Sequence, residues 1–388
     1  MRQVLVIGGG ASGLFAAIKA AKEGALVTIL EHKDRVGKKI LSTGNGRCNY
    51  TNAFLDASCY YDNAFAMQVI NKFPVEKTLE YFKELGIWPK SRGGYYYPSS
   101  DQASAVLDVL RDGLDKAKVT VKTEVSVDYI EFKKGKFRVH TNVGNLRADA
   151  IILACGGCAA PSTGSDGSGY ELAKSFGHQI HKPVAALTGM KCEEKFFKQL
   201  AGIRIQAKIK LDTGKELMEE EGEVQLTDYG VSGIPAFQLC RYVARSKKSF
   251  LELDFMPNIS IEELENYLTT HTKEQYVGMI NKKLLAVLIK RYGENPKKLA
   301  KGIKCFSATV IGVNDFTKAQ VTSGGVFCNE ISPETMESKL MPSLYLVGEL
   351  VDVDGKCGGY NLQWAWSSAY VAAKAASKEK KSDTNSTD

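Results

Sequence analysis

Gly8-Gly9-Gly10-Ala11-Ser12-Gly13 is a run in which the backbone, rather than any side chain, could do chemistry. Gly8 permits a tight turn, Gly10 lets the main chain approach a pyrophosphate, and Gly13 lets a helix and a strand pack closely. A helix opening behind Ala11 and Ser12 presents free N–H groups and a positive dipole end to phosphate. Glu31 lies 18 residues past Gly13, about where a carboxylate accepts hydrogen bonds from an adenosine ribose, and His32 and Lys33 follow it. Such a turn binds an ADP moiety and does not by itself choose between FAD and NAD.

A second group supplies side-chain donors. Lys38, Lys39, Asn45, Arg47 and Asn49 fall in one stretch with Thr43 and Cys48, which Gly37, Gly44 and Gly46 mark as a loop. A basic, amide-rich loop beside a dinucleotide site can reach both a pyrophosphate and a polar ring edge. A plain surface loop would explain the glycine and the charge, but not so many donors together.

Short apolar strands must position these groups. Val4–Ile7 and Leu26–Leu30 frame the glycine turn, a helical stretch from Leu14 to about Lys22 joins them, and Gly24 stops it. Ala150–Leu153 is another apolar run, ending in Ala154-Cys155-Gly156-Gly157. Pro161, the turn-rich Gly164–Gly169 and a helix to about Phe176 follow. Leu344–Val347 meets Gly348-Glu349, and Gly358-Gly359-Tyr360-Asn361 opens an alanine-rich helix from Leu362 to about Ser377. A second helix N-terminus can stabilise negative charge at the N1/O2 end of a reduced flavin.

Other groups tempt less. Cys155 and Cys158 form a CxxC, but its glycines serve the turn and no thioredoxin-like βαβ unit surrounds it. His178 and His181 have no cysteine or carboxylate at ligand spacing, so no metal is expected. Tyr95-Tyr96-Tyr97 reads as a hairpin strand that could line a pocket.

The 388 residues suggest two or three domains, and 44% apolar with 24% charged residues is ordinary for a globular chain. No apolar run is long enough for a membrane span, and the glycines at 8–13 with Lys19 break any signal-peptide pattern. Nine scattered cysteines fit a reducing, cytoplasmic setting. The net charge of +7 comes with basic clusters no longer than Lys38-Lys39, Lys247-Lys248 and Lys297-Lys298, which gives little support for a nucleic-acid partner. The tail Lys378–Asp388 reads as disordered.

The glycine turn, Leu41–Asn49, Gly230-Val231-Ser232-Gly233, Val321–Val326 and Gly348-Glu349 with Gly358–Gln363 stand in an order that resembles the YhiN/BaiN-like, or aminoacetone oxidase-like, FAD-binding flavoproteins. Ala154–Gly157 with Gly164–Gly169 is more distantly similar to fumarate reductase and succinate dehydrogenase flavoproteins. The resemblance covers residues 1 to about 376. It implies an α/β, glutathione reductase-like Rossmann domain over 1–187 and 319–377, interrupted by an inserted domain over 188–318. It also implies non-covalent FAD held by Gly8–Gly13, Glu31, Lys38–Asn49, Ala154–Gly157, Gly348-Glu349 and Gly358-Gly359-Tyr360-Asn361-Leu362-Gln363. Cys155 and Cys357 stand where relatives often carry Thr.

Within the insertion, Ile203–Leu211, Glu223–Thr227 and Ser249–Phe255 predict antiparallel strands or a small barrel. Ile261–His271, Asn281–Tyr292 and Pro296–Lys301 predict a helical lobe over about 258–304. The insertion is expected to act as lid and substrate selector.

The expected activity is hydride exchange between flavin N5 and a small or medium organic substrate. NADH or NADPH would be a transient donor, or oxygen an acceptor. Asn45, Arg47, Tyr96 and Glu349 are the candidates for the reacting centre. A tRNA-modifying flavoprotein and a non-catalytic flavin redox sensor are the alternatives, and the oligomeric state is left open.

Overall fold

Short runs of Val, Ile and Leu build the sheet of the first unit, because a parallel strand covered on both faces has no polar side. The computed structural model describes residues 1–378 apart from Asp62 and Lys247. The expected disordered tail therefore lies, past Lys378, outside the described residues, as does Lys247 of the Lys247-Lys248 cluster. The chain forms two units: Met1–Pro183 with the segment from Val321 onward, and Val184–Gln320.

The first unit holds five parallel strands in the order Leu344–Leu346, Ala150–Leu153, Gln3–Ile7, Leu26–Leu30, Thr120–Lys122. Helices Ala11–Lys22 and Tyr360–Ala376 pack on each other, with Phe15, Phe73, Phe82 and Trp366 in edge-on or tilted contact beneath them. Gly8, Glu31, Ala154 and Val347 each follow the last residue of a strand, so the turns collect at the carboxyl edge of the sheet. In doubly wound sheets that edge is where ligands bind. The expected Rossmann architecture is therefore present.

A three-stranded antiparallel sheet, Val127–Lys133, Lys136–Thr141 and Gly144–Ala148, was not anticipated. Its sequence is mostly polar because only Ile130, Phe137, Val139, Thr141 and Ala148 are buried. The predicted tyrosine hairpin is formed by Pro89–Arg92 and Tyr95–Pro98, with Thr51–Asn52 added at its edge.

The second unit is a closed six-stranded barrel, in the order Met190–Cys192, Gly230–Gly233, Leu217–Thr227, Arg204–Asp212, Ser249–Asp254, Phe306–Val313. Ala207, Ile209, Leu211, Val224, Leu226, Leu251, Leu253 and Val310 alternate inward to fill it. Helices Ile261–Thr270, Lys282–Tyr292 and Pro296–Lys304 form the expected lobe, and helix Ile234–Ala244 packs on the barrel strands. Among the described residues no helix is long and apolar enough to cross a membrane.

Candidate functional site

The first helix begins at Ala11, earlier than its apolar pattern suggested, with Gly10 as N-cap and no side chain capping it. Its leading N–H groups are thus left to an external acceptor. A Cβ on Gly10 would meet nothing within 4 Å, whereas one on Gly13 would sit 1.9 Å from the Gly8 carbonyl oxygen. Gly8 has φ +102° and would press 2.5 Å onto the Ala154 carbonyl. Gly348 would in turn touch the Ser12 hydroxyl at 2.6 Å, so the turns after three neighbouring strands pack together.

Glu31 is buried. Its Oε2 accepts from the Gly9 N–H and its Oε1 from the Lys33 N–H, both at 2.8 Å, which fixes the carboxylate and leaves each oxygen a further lone pair. Gly164 closes on this corner: a Cβ there would lie 3.2 Å from His32 Nε2, 3.3 Å from the Lys33 side chain and 3.6 Å from Glu31 Oε1. The Ser165 hydroxyl is buried here without a hydrogen-bond partner, and His32 Nε2, also without one, faces the Asp166 carboxylate at 3.8 Å.

The donor loop is not irregular, as its glycines suggested, but wound into 3-10 turns over Lys38–Gly46 and broken at Thr43, Gly44 and Asn45. Asn45 and Cys48 take φ of +54° and +57°, a left-handed conformation that Asn enters readily and Cys seldom does. Its donors diverge. Lys38 pairs with Asp34, Lys39 with Glu349, and Thr43 with the Ile40 carbonyl, while Asn45, Gly46 and Arg47 are exposed. Asn49 donates to the carbonyls of Thr51 and Tyr96, and its Oδ1 is left buried without a partner.

Glu349 is the hub between segments. One oxygen accepts from Lys39 at 2.8 Å and the other from the Thr322 N–H at 2.7 Å. The Thr322 hydroxyl accepts from the Cys158 and Ala159 N–H groups. A Cβ on Gly157 would strike Thr322 at 2.4 Å and Glu349 at 2.9 Å. Thr322 and Ser165 were not singled out from sequence; only their glycine-rich surroundings marked them.

At the second helix N-terminus the cap is Gly359, φ +91°, again with no capping side chain. Asn49 Oδ1 would be 2.9 Å from a Cβ on Gly359, and Tyr95 2.5 Å from one on Gly358. Tyr96 turns the other way, against the core. Strand alternation therefore turns Tyr95 toward Gly358 and Tyr97 toward Gly44, which it approaches at 3.5 Å from a built Cβ. Burial raises both phenols. The nearby charges of Arg92 and, less strongly, Arg47 offset part of the rise at Tyr97.

The side chains that follow Gly359 are held by the protein itself. Asn361 is bonded through its amide to both backbone groups of Gly355, and Tyr360 donates to the Phe54 carbonyl. Leu362 packs on the core. The Gln363 amide is fully used by Thr51, Phe73, Thr78 and Ser367. No disulfide joins any of the nine cysteines, all of which lie among the described residues. Burial pushes the Cys155 thiol up to about 12 and raises Cys158 and Cys357. His178 is buried between Glu330 and Ser338, and His181 meets Asp352, all at 2.8 Å. Among the described residues no three His, Cys, Asp or Glu side chains gather for a metal.

The residues fit FAD. Two uncapped helix N-termini, an open cradle at Gly10, and the buried, unbonded oxygens of Ser165 and Asn49 lie along one edge of the sheet unit. This is the fold and site of a Rossmann-type FAD-dependent oxidoreductase. The chain belongs to the HI0933-like family, whose Rossmann-domain model matches residues 2–375.

It is 42% identical to a 3-dehydro-bile acid delta(4,6)-reductase of Clostridium scindens, over 97% of this chain and 100% of that protein. It is 31% identical to a ribosomal RNA dihydrouridine synthase of Haemophilus influenzae, over 97% of this chain and 98% of that one. A flavocytochrome c3 fumarate reductase in its open conformation shares the fold, with a TM-score of 0.50 and 15% identity over 97% of this chain and 78% of that chain.

Proposed function

We propose that this enzyme saturates a carbon–carbon double bond conjugated to a carbonyl in a small or medium organic substrate, with NADH or NADPH as electron donor. The observation that carries this reading is the full-length likeness to two relatives whose names differ in substrate and agree in bond type. A delta(4,6)-reductase acting on a 3-dehydro acid and an enzyme making dihydrouridine each saturate a ring alkene.

Bound FAD would supply the hydride. Gly8–Gly13 would hold its pyrophosphate, Glu31, His32 and Ser165 its adenosine side, and Asn49, Gly157, Glu349 and Gly359 its ring side. Tyr95 and Tyr97, kept protonated by burial, offer phenolic hydrogen bonds to a substrate carbonyl. The sequence has no second glycine fingerprint, so the nicotinamide would visit the flavin cleft transiently. Nine cysteines without a disulfide support work in the cytoplasm.

The test is anaerobic. Flavin-loaded protein is bleached with NADH or NADPH, then offered a 3-oxo-Δ4 steroid or a uridine-containing RNA. Reoxidation by the steroid with appearance of the saturated ketone is expected. Reoxidation by RNA alone would assign a nucleic-acid base instead, the reading that the dihydrouridine synthase likeness favours. If neither acceptor restores the yellow colour faster than buffer does, the bond assignment fails.

A further inference from the structure

Arg2 stands directly before the central strand Gln3–Ile7, at the end of the sheet opposite the flavin turns. Its side chain does what a long cation seldom does and goes inside: the residue is only 8% exposed. The guanidinium donates to the Ser343 hydroxyl at 2.7 Å and to the Lys378 carbonyl. Among the described residues no carboxylate lies within 4.0 Å of it to form an ion pair. Neutral acceptors satisfy its N–H groups and leave its charge unbalanced, which is costly for a buried ion.

Arg2 forms part of the wall of a cavity of about 450 Å³, within the roughly 300–1,000 Å³ of small-molecule sites. The rest of the wall comes from distant stretches: Lys72, residues 334–337, Tyr345 of the edge strand, and the last turns of helix Tyr360–Ala376 with Lys378 just beyond it. Four cations, Arg2, Lys72, Lys374 and Lys378, line it against two acids, Glu334 and Glu337, an excess of two positive charges. Both acids are engaged, Glu337 by the Ser343 N–H at 2.6 Å and Glu334 by the Ser332 hydroxyl at 3.2 Å. Lys72 donates to the Pro333 carbonyl at 2.8 Å and reaches Glu334 only at 4.0 Å. Lys374 rests over the Tyr370 ring, 5.5 Å from its centre, and neither it nor Lys378 has an ion pair among the described residues. A helix C-terminus draws cations, but its dipole supplies about half a negative charge, too little to account for this excess. Burial pushes the Tyr345 phenol up to about 12, so at neutral pH it remains a donor beside Arg2.

We propose that this cavity, at the end of the sheet away from the flavin, binds a small multivalent anion bearing carboxylate or phosphate groups. A neutral or cationic ligand would leave Arg2 uncompensated, whereas an anion gives three separate segments of the chain one shared partner. The site lies wholly within the first unit and does not rest on the proposed reaction.

The test uses flavin-loaded, full-length protein, so that the cradle at Gly10 is already filled. Calorimetric titration with citrate and, separately, with inorganic pyrophosphate at constant ionic strength should reveal one site per chain for at least one of them. The tighter of the two distinguishes a carboxylate ligand from a phosphate. Replacing Lys72 and Lys374 together by Gln should weaken binding by about tenfold or more, through the loss of two charge-assisted contacts, with flavin absorbance unchanged. Arg2→Gln should weaken it further, and if that variant fails to fold, the Lys72 and Lys374 pair decides alone. Replacing Lys122 and Lys290, exposed cations that do not line the cavity, should leave affinity nearly unchanged. No saturable binding of either anion up to about 10 mM, or equal affinity in the Lys72 and Lys374 variant, would overturn the proposal.

Discussion

Gly10 and Gly13 sit three residues apart and answer to different constraints. A side chain on Gly10 has room in the protein and would occupy the cradle instead. Gly10→Leu should therefore melt like the wild-type apoprotein yet retain less than about a tenth of its flavin absorbance, since the phosphate approach is blocked. Gly13→Ala drives a methyl into the Gly8 carbonyl and should cost about 3 kcal/mol in urea unfolding, whether or not FAD is added. Equal flavin occupancy in Gly10→Leu would remove the pyrophosphate from that turn. Cys155 provides a third measurement. With its thiol pushed up to about 12, only about one in ten thousand is thiolate at pH 8. Iodoacetamide should leave Cys155 unmodified in native protein by mass spectrometry, and prompt labelling would revive the redox-sensor reading.

The elements differ in how plainly the sequence announces them. Buried parallel strands such as Val4–Ile7 are continuous apolar runs, and glycines at their ends mark the turns, so both phosphate-facing corners were readable. Leu217–Gly222 was not, because three consecutive glutamates and a glycine look like a loop until pairing with Arg204–Asp212 supplies partners. Three consecutive tyrosines do not reveal which of them faces the core, because the face of a strand depends on pairing with Pro89–Arg92 and Thr51–Asn52 and on what packs behind it. The bond between Lys39 and Glu349 spans 310 positions and leaves no local trace. Gln363 shows the same blindness: nothing near it in sequence shows that its amide ties the last helix to three other segments. Gln363→Leu would strand those buried partners and should lower stability by about 3 kcal/mol, measured by urea titration with tryptophan emission. A loss of under about 0.5 kcal/mol, the scale of ordinary surface changes, would show that the network carries no weight.

At the scale of the molecule, all three tryptophans, Trp88, Trp364 and Trp366, belong to the flavin-binding unit, so indole emission reports that unit alone. Added FAD at about a hundred times its dissociation constant should raise the unit's stability by about 2.7 kcal/mol, seen as a higher melting temperature in tryptophan emission. A melting temperature indifferent to FAD would place the cofactor elsewhere or nowhere.

The sheet that carries the flavin turns takes its edge strand Leu344–Leu346, and the helix behind it, from a segment made after the entire barrel and lobe. During translation Ala150–Leu153 must therefore wait with one flank unpaired while more than a hundred further residues emerge. Cofactor capture becomes a post-synthetic event, and the nascent chain is most exposed to aggregation between completion of its second unit and arrival of its final strand.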